Sequence, residues 1–446
     1  MIFYKCKAVK LLASSSNSSH FMAEPQNVVA LAYSINIDIK AVERTSVAQV
    51  DHPGAAPLAP TVRALGVVSL LNDFSSEVAV RTLPLFLANV LGVRISIVGL
   101  IEGLAESTAT LLKLVSGYLS DPLGKKKGLA LTGYGFSNLT KPLLYFADSW
   151  GLVLAVRFLD RVGKGIRTAP RDALIAALTS PELRGRAFGF NKAMDKTGGF
   201  LGVVVAAVVL YMTQSDAFTM TRESYQWLVL LAVLPGLAAV GILAWCVAEP
   251  TQASISKRPA PLAWSEMDRR FWAFIAVLTI FMLGNSSDAF LMLRAQTIGF
   301  STIEIFLAVA AFSLVIALTS TKGGTLSDVL GRRGLIIAGW VIYATIYLGF
   351  AFASQRWHIW ILYAGYGLYY GAFLGASSAL IADLVPERLR GTAYGIFNAA
   401  LGVAALPASV IAGLLWDWYG PAAPFLFGAA LAVLATIGLL LIPLRR

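Results

Sequence analysis

The sequence is poor in the residues that most catalytic and metal sites use. Its 446 residues include two cysteines, Cys6 and Cys246, and three widely separated histidines. So few cysteines exclude a disulfide framework, and the histidines show no metal-ligand spacing. The G-x-x-x-x-G-K-[ST] loop that holds ATP phosphates is also missing, which argues against ATP drive. We therefore expect no enzymatic activity, no metal and no cofactor.

Charged residues are scarce as well. They make up 14% of the chain, against about 25% in soluble domains, while 57% of the residues are hydrophobic and the mean hydropathy is +0.70. Apolar stretches near the ~20-residue spanning length recur along the chain. We predict twelve transmembrane spans at 64–90, 95–119, 128–147, 150–178, 186–212, 226–248, 271–295, 302–323, 334–353, 357–384, 392–415 and 424–443. The expected fold class is an all-α integral membrane protein.

The basic residues are distributed unevenly between the loops. With the N-terminus in the cytoplasm, the cytoplasmic loops hold Lys125, Lys126, Lys127, Arg184, Arg186, Lys257, Arg258, Arg269, Arg270, Arg332, Arg333, Arg388, Arg390, Arg445 and Arg446. The opposite face keeps Arg94, Arg222, Arg294 and Arg356. By the positive-inside rule, both termini are cytoplasmic and the protein lies in the inner (plasma) membrane. This asymmetry accounts for much of the net charge of +11, so we expect no nucleic-acid partner.

The chain also divides by composition. Residues 1–60 hold a Ser/Asn tract and several prolines but no apolar span, and we predict a disordered cytoplasmic tail. Residues 249–270 are polar, include Pro250, Pro259 and Pro261, and are predicted as a cytoplasmic linker. The linker separates an N-terminal half, 61–248, from a C-terminal half, 271–446. Each half then contains six spans.

The two halves repeat one another. Ala173–Ala176 reads ALIA and recurs at Ala379–Ala382, while GYLSDPLGKK at 117–126 matches GTLSDVLGRR at 324–333. Each copy of the second motif lies at the end of the second span and the start of the third span of its half. Such duplication indicates two pseudo-symmetric six-helix halves.

With its G-x-L-x-D-x-x-G-[KR]-[KR] loop in both halves, the chain resembles the major facilitator superfamily over about residues 62–446. The resemblance implies a secondary transporter whose halves rock around a central site. It also implies a cytoplasmic gate in which each Asp meets a helix N-terminus of the other half. A plain positive-inside loop is the simpler alternative. The predicted gate consists of Gly117, Asp121, Gly124, Lys125, Lys126, Gly324, Asp328, Gly331, Arg332 and Arg333. Pro122 and Val329 stand where the family usually has a basic residue after the Asp.

The fourth span carries a stripe of charge on one helix face. Its members, at gaps of three and four residues, are Arg157, Asp160, Lys164, Arg167 and Arg171. The stripe rises ~21 Å, and each such charge facing lipid would cost roughly 2.5–3.5 kcal/mol. It must therefore face the protein interior or a water-filled cavity. The span also resembles the family's R-x-x-x-x-x-G-x-G segment, which implies proton coupling at Arg157.

Acidic residues in the N-terminal half could balance this stripe. Asp73, Glu77 and Arg81 are spaced by four in the first span, and Glu102 and Glu106 repeat that spacing in the second. Depth along the spans places Glu77 level with Lys164 and Arg167, and Arg81 level with Asp160. A buried salt-bridge network is one interpretation and a proton relay is the other. The proton-coupling candidates are Asp73, Glu77, Asp160 and Arg157.

The C-terminal half has aromatic residues where the N-terminal half has charges. Arg157, Asp160 and Lys164 correspond to Tyr363, Tyr366 and Tyr370. This asymmetry suggests ion chemistry in one half and substrate shape in the other. The predicted substrate cavity is lined by Arg81, Glu106, Lys164, Arg167, Arg171, Asp288, Tyr366 and Tyr370.

Together these features predict proton-coupled efflux of a small organic compound by antiport. The alternative is uptake or exchange of an organic or phosphorylated anion, which the basic stripe would suit. A further alternative is a sensor with the same fold that transports nothing. The expected partners are the lipid bilayer, protons and a small-molecule substrate, and we expect a monomer.

Overall fold

The computed structural model describes residues 58–123, 126–180, 183–214, 218–249 and 266–443. These residues form fourteen α-helices, and a 3-10 turn, Lys141–Phe146, follows α4. The helices are α1 (Pro60–Val80), α2 (Leu83–Asn89), α3 (Ile95–Leu123), α4 (Lys126–Thr140), α5 (Trp150–Ala177), α6 (Arg184–Thr213), α7 (Arg222–Cys246), α8 (Arg269–Gly284), α9 (Ala289–Thr297), α10 (Thr302–Leu330), α11 (Arg332–Phe352), α12 (Arg356–Leu384), α13 (Arg390–Tyr419) and α14 (Ala423–Leu441). The predicted tail and linker lie almost entirely outside the described residues.

The predicted all-α membrane fold is confirmed, and every predicted span corresponds to a helix or a pair of helices. The first span is α1 with α2, and the seventh is α8 with α9. By length and composition, eight stretches of the described residues could cross a membrane. The charged α5 is not among them, because its stripe leaves no stretch of spanning length that is apolar enough. Its charges are tolerated where they face other helices rather than lipid.

Local sequence fixes several helix ends. Ser301 and Glu304 form a capping box at the start of α10, in which each side chain accepts from the other's backbone N–H. Gly331, between α10 and α11, has φ +76°. A residue with a Cβ would be strained in that conformation. The two helices are therefore separated by one sharp glycine turn.

The bundle has two ends, which we name by the helices that terminate there. The linker side is where α1 begins, α7 ends and α8 begins. Here the backbone N–H of Lys127 donates to both carboxylate oxygens of Glu249 at 3.0 and 3.2 Å. On the opposite, distal side, Arg222 donates to the carbonyl of Ala147 at 3.0 Å. Both bonds join neighbouring helices of one half, so they keep that half together.

The two halves meet along α3 with α13 and α6 with α10. Glycines allow the backbones of α3 and α13 to touch. A Cβ on Gly99 would lie 2.2 Å from the carbonyl oxygen of Ser409, and one on Gly413 would lie 2.6 Å from the Cα of Ser96. Small residues at such crossings permit close van der Waals contact between membrane helices.

On the distal side the halves are also hydrogen-bonded to each other. The carboxylate of Asp417, near the end of α13, accepts from the backbone N–H groups of Ile95 and Ser96 at 3.1 and 3.0 Å. These N–H groups belong to the first two residues of α3 and have no acceptor within their own helix. We call this contact the distal clamp. The short helices α2 and α9 pack against each other beside it and are largely buried, so the distal side is closed.

Candidate functional site

The first helix of each half is interrupted at an equivalent place. The break in the first span falls at Arg81–Thr82, and the break in the seventh span at 285–288. Pro84 follows the first break and has no N–H to continue the helix. The hydroxyl of Thr82 donates toward the freed carbonyls of Val78 and Ala79 at 3.3 and 3.1 Å. Interrupted membrane helices place polar groups at mid-membrane depth, where transporters bind their ligands.

Arg81 lies at the first break and contacts a carboxylate of each half. Its Nε is 2.7 Å from Glu77 Oε2, and its Nη1 is 3.9 Å from Asp288 Oδ2. The hydroxyl of Tyr366 donates to the other oxygen of Asp288 at 3.0 Å. The side chains of Arg81, Glu77 and Asp288 are 27–31% exposed, so water reaches this cluster. Glu77 and Asp288 occupy equivalent positions in the two halves, SSE at 75–77 and SSD at 286–288.

Two further candidates face solvent deep within the bundle. Lys164 on α5 and Glu106 on α3 are exposed although both lie in the middle of long helices. Lys164 interacts electrostatically with Glu106 and with Asp73 of α1. Their exposure at mid-helix, close to charges of other helices, leads us to infer a water-filled space between the helices, which we call the central cavity.

Aromatic residues of α12 form a packed cluster in the C-terminal half. Tyr366 is 1% exposed and stacks on Phe312 at 5.3 Å. Tyr370 is half-buried and meets the rings of Tyr366 and Phe312 edge-on at 5.2 and 5.4 Å. Tyr369 is buried among the same rings. Tyr366 is therefore buried beside Asp288, and Tyr370 is the member of this cluster that keeps part of its ring exposed.

Arg157 and Asp160 lie away from this cavity, in a buried ion cluster. Arg157 binds both oxygens of Glu102, at 2.7 and 3.2 Å. Asp160 is 3.6 Å from Arg157 and 3.5 Å from Arg161. The four side chains are only 4–11% exposed. Removal of Arg157 would leave Glu102 buried without its partner, and removal of Asp160 would do the same to Arg161, which is costly.

Arg167 and Arg171, the remaining residues of the stripe, contact neighbouring helices of their own half. Arg167 donates to the hydroxyl of Ser137 at 2.5 Å and lies over the ring of Tyr134, 4.7 Å from its centroid. Arg171 pairs with Asp172 at 3.0 Å and with Asp195 at 3.5 Å. Both arginines thus tie α5 to the helices around it, rather than projecting freely into the cavity.

Sequence reasoning missed one buried cation, Lys141. It is 1% exposed, and its ammonium group donates to Ser75, Ser76 and Asn138 at 2.9–3.0 Å. Asn138 donates to Asn72 at 3.0 Å, and Asn72 donates to Asp73 at 3.2 Å. A polar chain therefore runs from Lys141 to the cavity wall. A single lysine inside the predicted span 128–147 was the signal that could have revealed it.

Glycines of α6 fix the position of Glu77. A Cβ on Gly198 would lie 2.2 Å from the carbonyl oxygen of Leu70, and one on Gly202 would lie 2.7 Å from that of Phe74 and 3.0 Å from Glu77 Cβ. Any larger residue would push α1 away from α6. These glycines therefore hold the carboxylate-bearing face of α1 at close range.

The predicted gate is described only in part. Gly124 and Lys125 lie outside the described residues, as do the side chains at 117–123 and 324–330, which include Asp121 and Asp328. Lys126 begins α4, and Arg332 pairs with Asp383 of α12. Arg333 donates to the carbonyls of Leu439 and Leu440 at 3.0 and 2.6 Å. These described contacts of the second copy lie within the C-terminal half.

Comparison with known proteins gives the family. The sequence model of the Major Facilitator Superfamily matches residues 65–306 and 289–446. The chain is 34% identical over 392 residues to an MFS-type transporter of Methanocaldococcus jannaschii, covering 86% of this chain and 95% of that protein. It therefore belongs to the Major Facilitator Superfamily and is a multi-pass membrane transporter of that family.

A second relative and a solved structure add detail. A Lactococcus lactis homolog of the multi-drug resistance efflux pump PmrA is 32% identical over 174 residues, covering 37% of this chain and 42% of that protein. The structure of a bacterial homolog of the human lysosomal transporter Spinster aligns with a TM-score of 0.72 at 13% identity, covering 86% of this chain and 97% of that one. The structural likeness supports the shared fold.

Proposed function

We propose that this protein exports a small organic compound across the plasma membrane in exchange for protons. The linker side is cytoplasmic in this proposal. The basic residues near that side support the assignment: Arg63, Lys126, Lys127, Arg184, Arg186, Arg269, Arg270, Arg332, Arg333 and Arg390. Arg94, Arg222, Arg294 and Arg356 lie near the distal side. The partial similarity to an efflux pump favours export over uptake.

The observation that carries the proposal is the sharing of Arg81 between two carboxylates of opposite halves. The Arg81–Glu77 pair lies within one half, whereas the Arg81–Asp288 pair crosses between them. Protonation of Asp288 removes the charge that attracts Arg81 and thus weakens a contact between the halves. A proton bound there favours separation of the halves at this depth, which couples protonation to alternating access.

The substrate is proposed to bind beside this cluster, in the central cavity. Lys164 and Glu106 supply one charge of each sign, while the half-buried Tyr370 supplies aromatic surface. Most other cations of the stripe are already occupied by acids of their own half, such as Glu102 and Asp195. The cavity is therefore less basic than the sequence suggests, which favours a small organic compound with an apolar body.

Exchange of an organic or phosphorylated anion is the second candidate. It is favoured by Lys164, which is exposed in the cavity and forms no ion pair within 4 Å among the residues the structure describes. An ammonium group in that position can bind a carboxylate or phosphate. The two candidates differ in whether an anion or an uncharged or cationic compound stabilises the folded protein.

The experiment has two stages. Thermal stability of the detergent-purified protein is first measured across a panel of organic anions, organic cations and neutral drugs, because ligand binding to the folded state raises Tm. The strongest stabiliser is then added to proteoliposomes that contain a pH dye and carry an imposed pH gradient. We expect the compound to dissipate the gradient with wild-type protein and with Glu223→Gln, an exposed control. Asp288→Asn and Glu77→Gln should not support this proton movement.

Transport of the compound by wild-type protein with no proton movement and no response to the gradient would refute proton coupling. Stabilisation by anions alone, lost in Lys164→Ala, would favour the anion exchanger. Near-normal coupled transport by both Asp288→Asn and Glu77→Gln would remove Arg81 and its carboxylates from the mechanism.

A further inference from the structure

A small cavity lies beside Asp288 on the distal side of Arg81. Its polar lining comes from Arg81, Asp288, Tyr363 and Tyr366, and apolar side chains of α9 and α10 complete it. The centre of a water molecule can move through about 10 Å³ within it. That is room for about one water and too little for an organic substrate. The cavity is therefore too small to be the proposed substrate site.

Tyr363 is the unusual member of this lining. It is 2% exposed, and its hydroxyl has no hydrogen-bond partner among the described residues. Its ring is fixed edge-on against Phe350 at 5.8 Å, and its hydroxyl interacts electrostatically with both Asp288 and Arg81. Buried hydroxyls nearly always have a partner. This one therefore indicates a ligand in the cavity that it faces.

We propose that this cavity binds one ordered water molecule, which connects the Tyr363 hydroxyl with the carboxylate of Asp288. Three polar groups, Tyr363, Asp288 and Arg81, line the site, which is enough to hold a buried water. Tyr366 already donates to Oδ1 of Asp288, so the water supplies a further donor to the same carboxylate. Tyr363 acts here as a positioning residue, because it reaches Asp288 through the water.

This inference rests on the proposed function and specifies how Asp288 exchanges its proton. When the halves separate and Arg81 withdraws, the water and Tyr366 remain as donors to the carboxylate. A proton arriving from the distal side joins the water oxygen, and the water passes one of its own protons to Asp288. The water ends neutral and the carboxylate becomes a carboxylic acid. Tyr363 keeps its proton throughout.

Other ionisable groups also face Asp288, so the test must separate their effects from that of the water. Those groups are Glu77 and Arg81 of the first span, Glu106 of α3, Tyr347 of α11, and Tyr366, Tyr369 and Tyr370 of α12. Tyr363→Phe leaves all of them in place and removes one oxygen atom. Val309→Ile also leaves them in place, and it adds a methylene group to the cavity lining.

X-ray radiolytic footprinting of the purified protein in H2(18)O detects the water directly. Met292 lines the cavity and is 1% exposed, so a hydroxyl radical must come from water bound beside it. Met220 is 3% exposed, lies outside the cavity and serves as the internal control. We expect labelled oxidation of Met292 well above that of Met220 in wild type. In Tyr363→Phe and Val309→Ile that excess should disappear. Oxidation of Met292 no greater than that of Met220 in wild type, or unchanged in both variants, would overturn the proposal.

The role of the water is tested in the proteoliposomes described above. Tyr363→Phe should lower gradient-driven transport about fivefold, the effect of one lost hydrogen bond. It should leave substrate exchange at equal pH unchanged. Equal loss of both activities would mean that Tyr363 is merely structural and would overturn its positioning role. If wild type shows no proton coupling, the proposed function fails, whereas the footprinting still decides whether the water is present.

Discussion

The distal clamp provides the sharpest conformational prediction. Asp417→Ala removes a carboxylate that accepts two N–H groups at the start of α3. An N-terminal cap contributes ~0.5–2 kcal/mol, and a charge at a helix terminus adds roughly 0.3–1 kcal/mol. Asp417 is exposed, so water replaces part of what is lost. We expect the closed state to lose about 1–2 kcal/mol relative to the open state, a factor of roughly 5–30 in their ratio.

The ratio of open to closed states can be measured by double electron–electron resonance, which gives the distribution of distances between two spin labels. Ser149 and Ser354 are exposed on the distal side, one in each half, and can be changed to cysteine after Cys6→Ser and Cys246→Ser. The long-distance population between the labels should rise in Asp417→Ala. It should rise less in Asp417→Asn, which keeps one acceptor oxygen. Glu223→Ala removes an exposed distal carboxylate that takes no part in the clamp and should change nothing.

The reasoning would be refuted by a distance distribution in Asp417→Ala that matches wild type. A rise of similar size in Glu223→Ala would show that distal charge in general, rather than the clamp, controls opening. The clamp joins the halves only at their distal ends, so the same variants should leave the packing of each half unchanged. Equal apparent Tm values would support that separation.

Two further predictions concern the buried cations of the N-terminal half. Lys141→Met removes the shared donor of Ser75, Ser76 and Asn138, and it should destabilise the protein by about 1–3 kcal/mol. The exposed Lys196→Met should have little effect on apparent Tm, and an equal fall in both variants would contradict this account of Lys141. Arg157→Met leaves Glu102 buried without its partner and should cost roughly 3–5 kcal/mol. Arg157→Met with Glu102→Met should recover part of that loss, and a double variant no more stable than either single variant would contradict the pairing.

The sequence predicted the fold well because twelve apolar stretches of spanning length leave little choice of structure. It also placed Glu77 and Arg81 on one helix face, since four residues are about one helical turn, but it did not predict that they pair with each other. The sequence did not predict the partner of Arg81 in the other half. Depth along the spans matched Arg81 with Asp160, whereas the structure pairs it with Asp288. Depth is a one-dimensional measure, and it contains no information on which helix faces which.

Helix periodicity had a similar limit at Glu102 and Glu106. The spacing of four places both on one face of α3, yet Glu102 is buried against Arg157 and Glu106 is exposed in the cavity. A face of a long membrane helix passes several neighbours along its length, so residues one turn apart can have different surroundings. The helix break at Arg81 was also missed, although Pro84 lies three residues beyond it. Proline is common within membrane helices and does not by itself indicate an interruption.

We propose that the two interpretations of the buried charges, a salt-bridge scaffold and a proton relay, apply to different residues. Arg157 with Glu102, Arg171 with Asp195 and Lys141 with Ser75 all lie within the N-terminal half. Rocking of two rigid halves leaves such contacts unchanged, so protonation of their acids gives no preference for either orientation. Arg81 and Asp288 belong to different halves, and their separation of 3.9 Å depends on that orientation. In the proposed mechanism a proton at Asp288 therefore changes the balance between conformations, while the contacts within the N-terminal half keep that half rigid enough to move as one body.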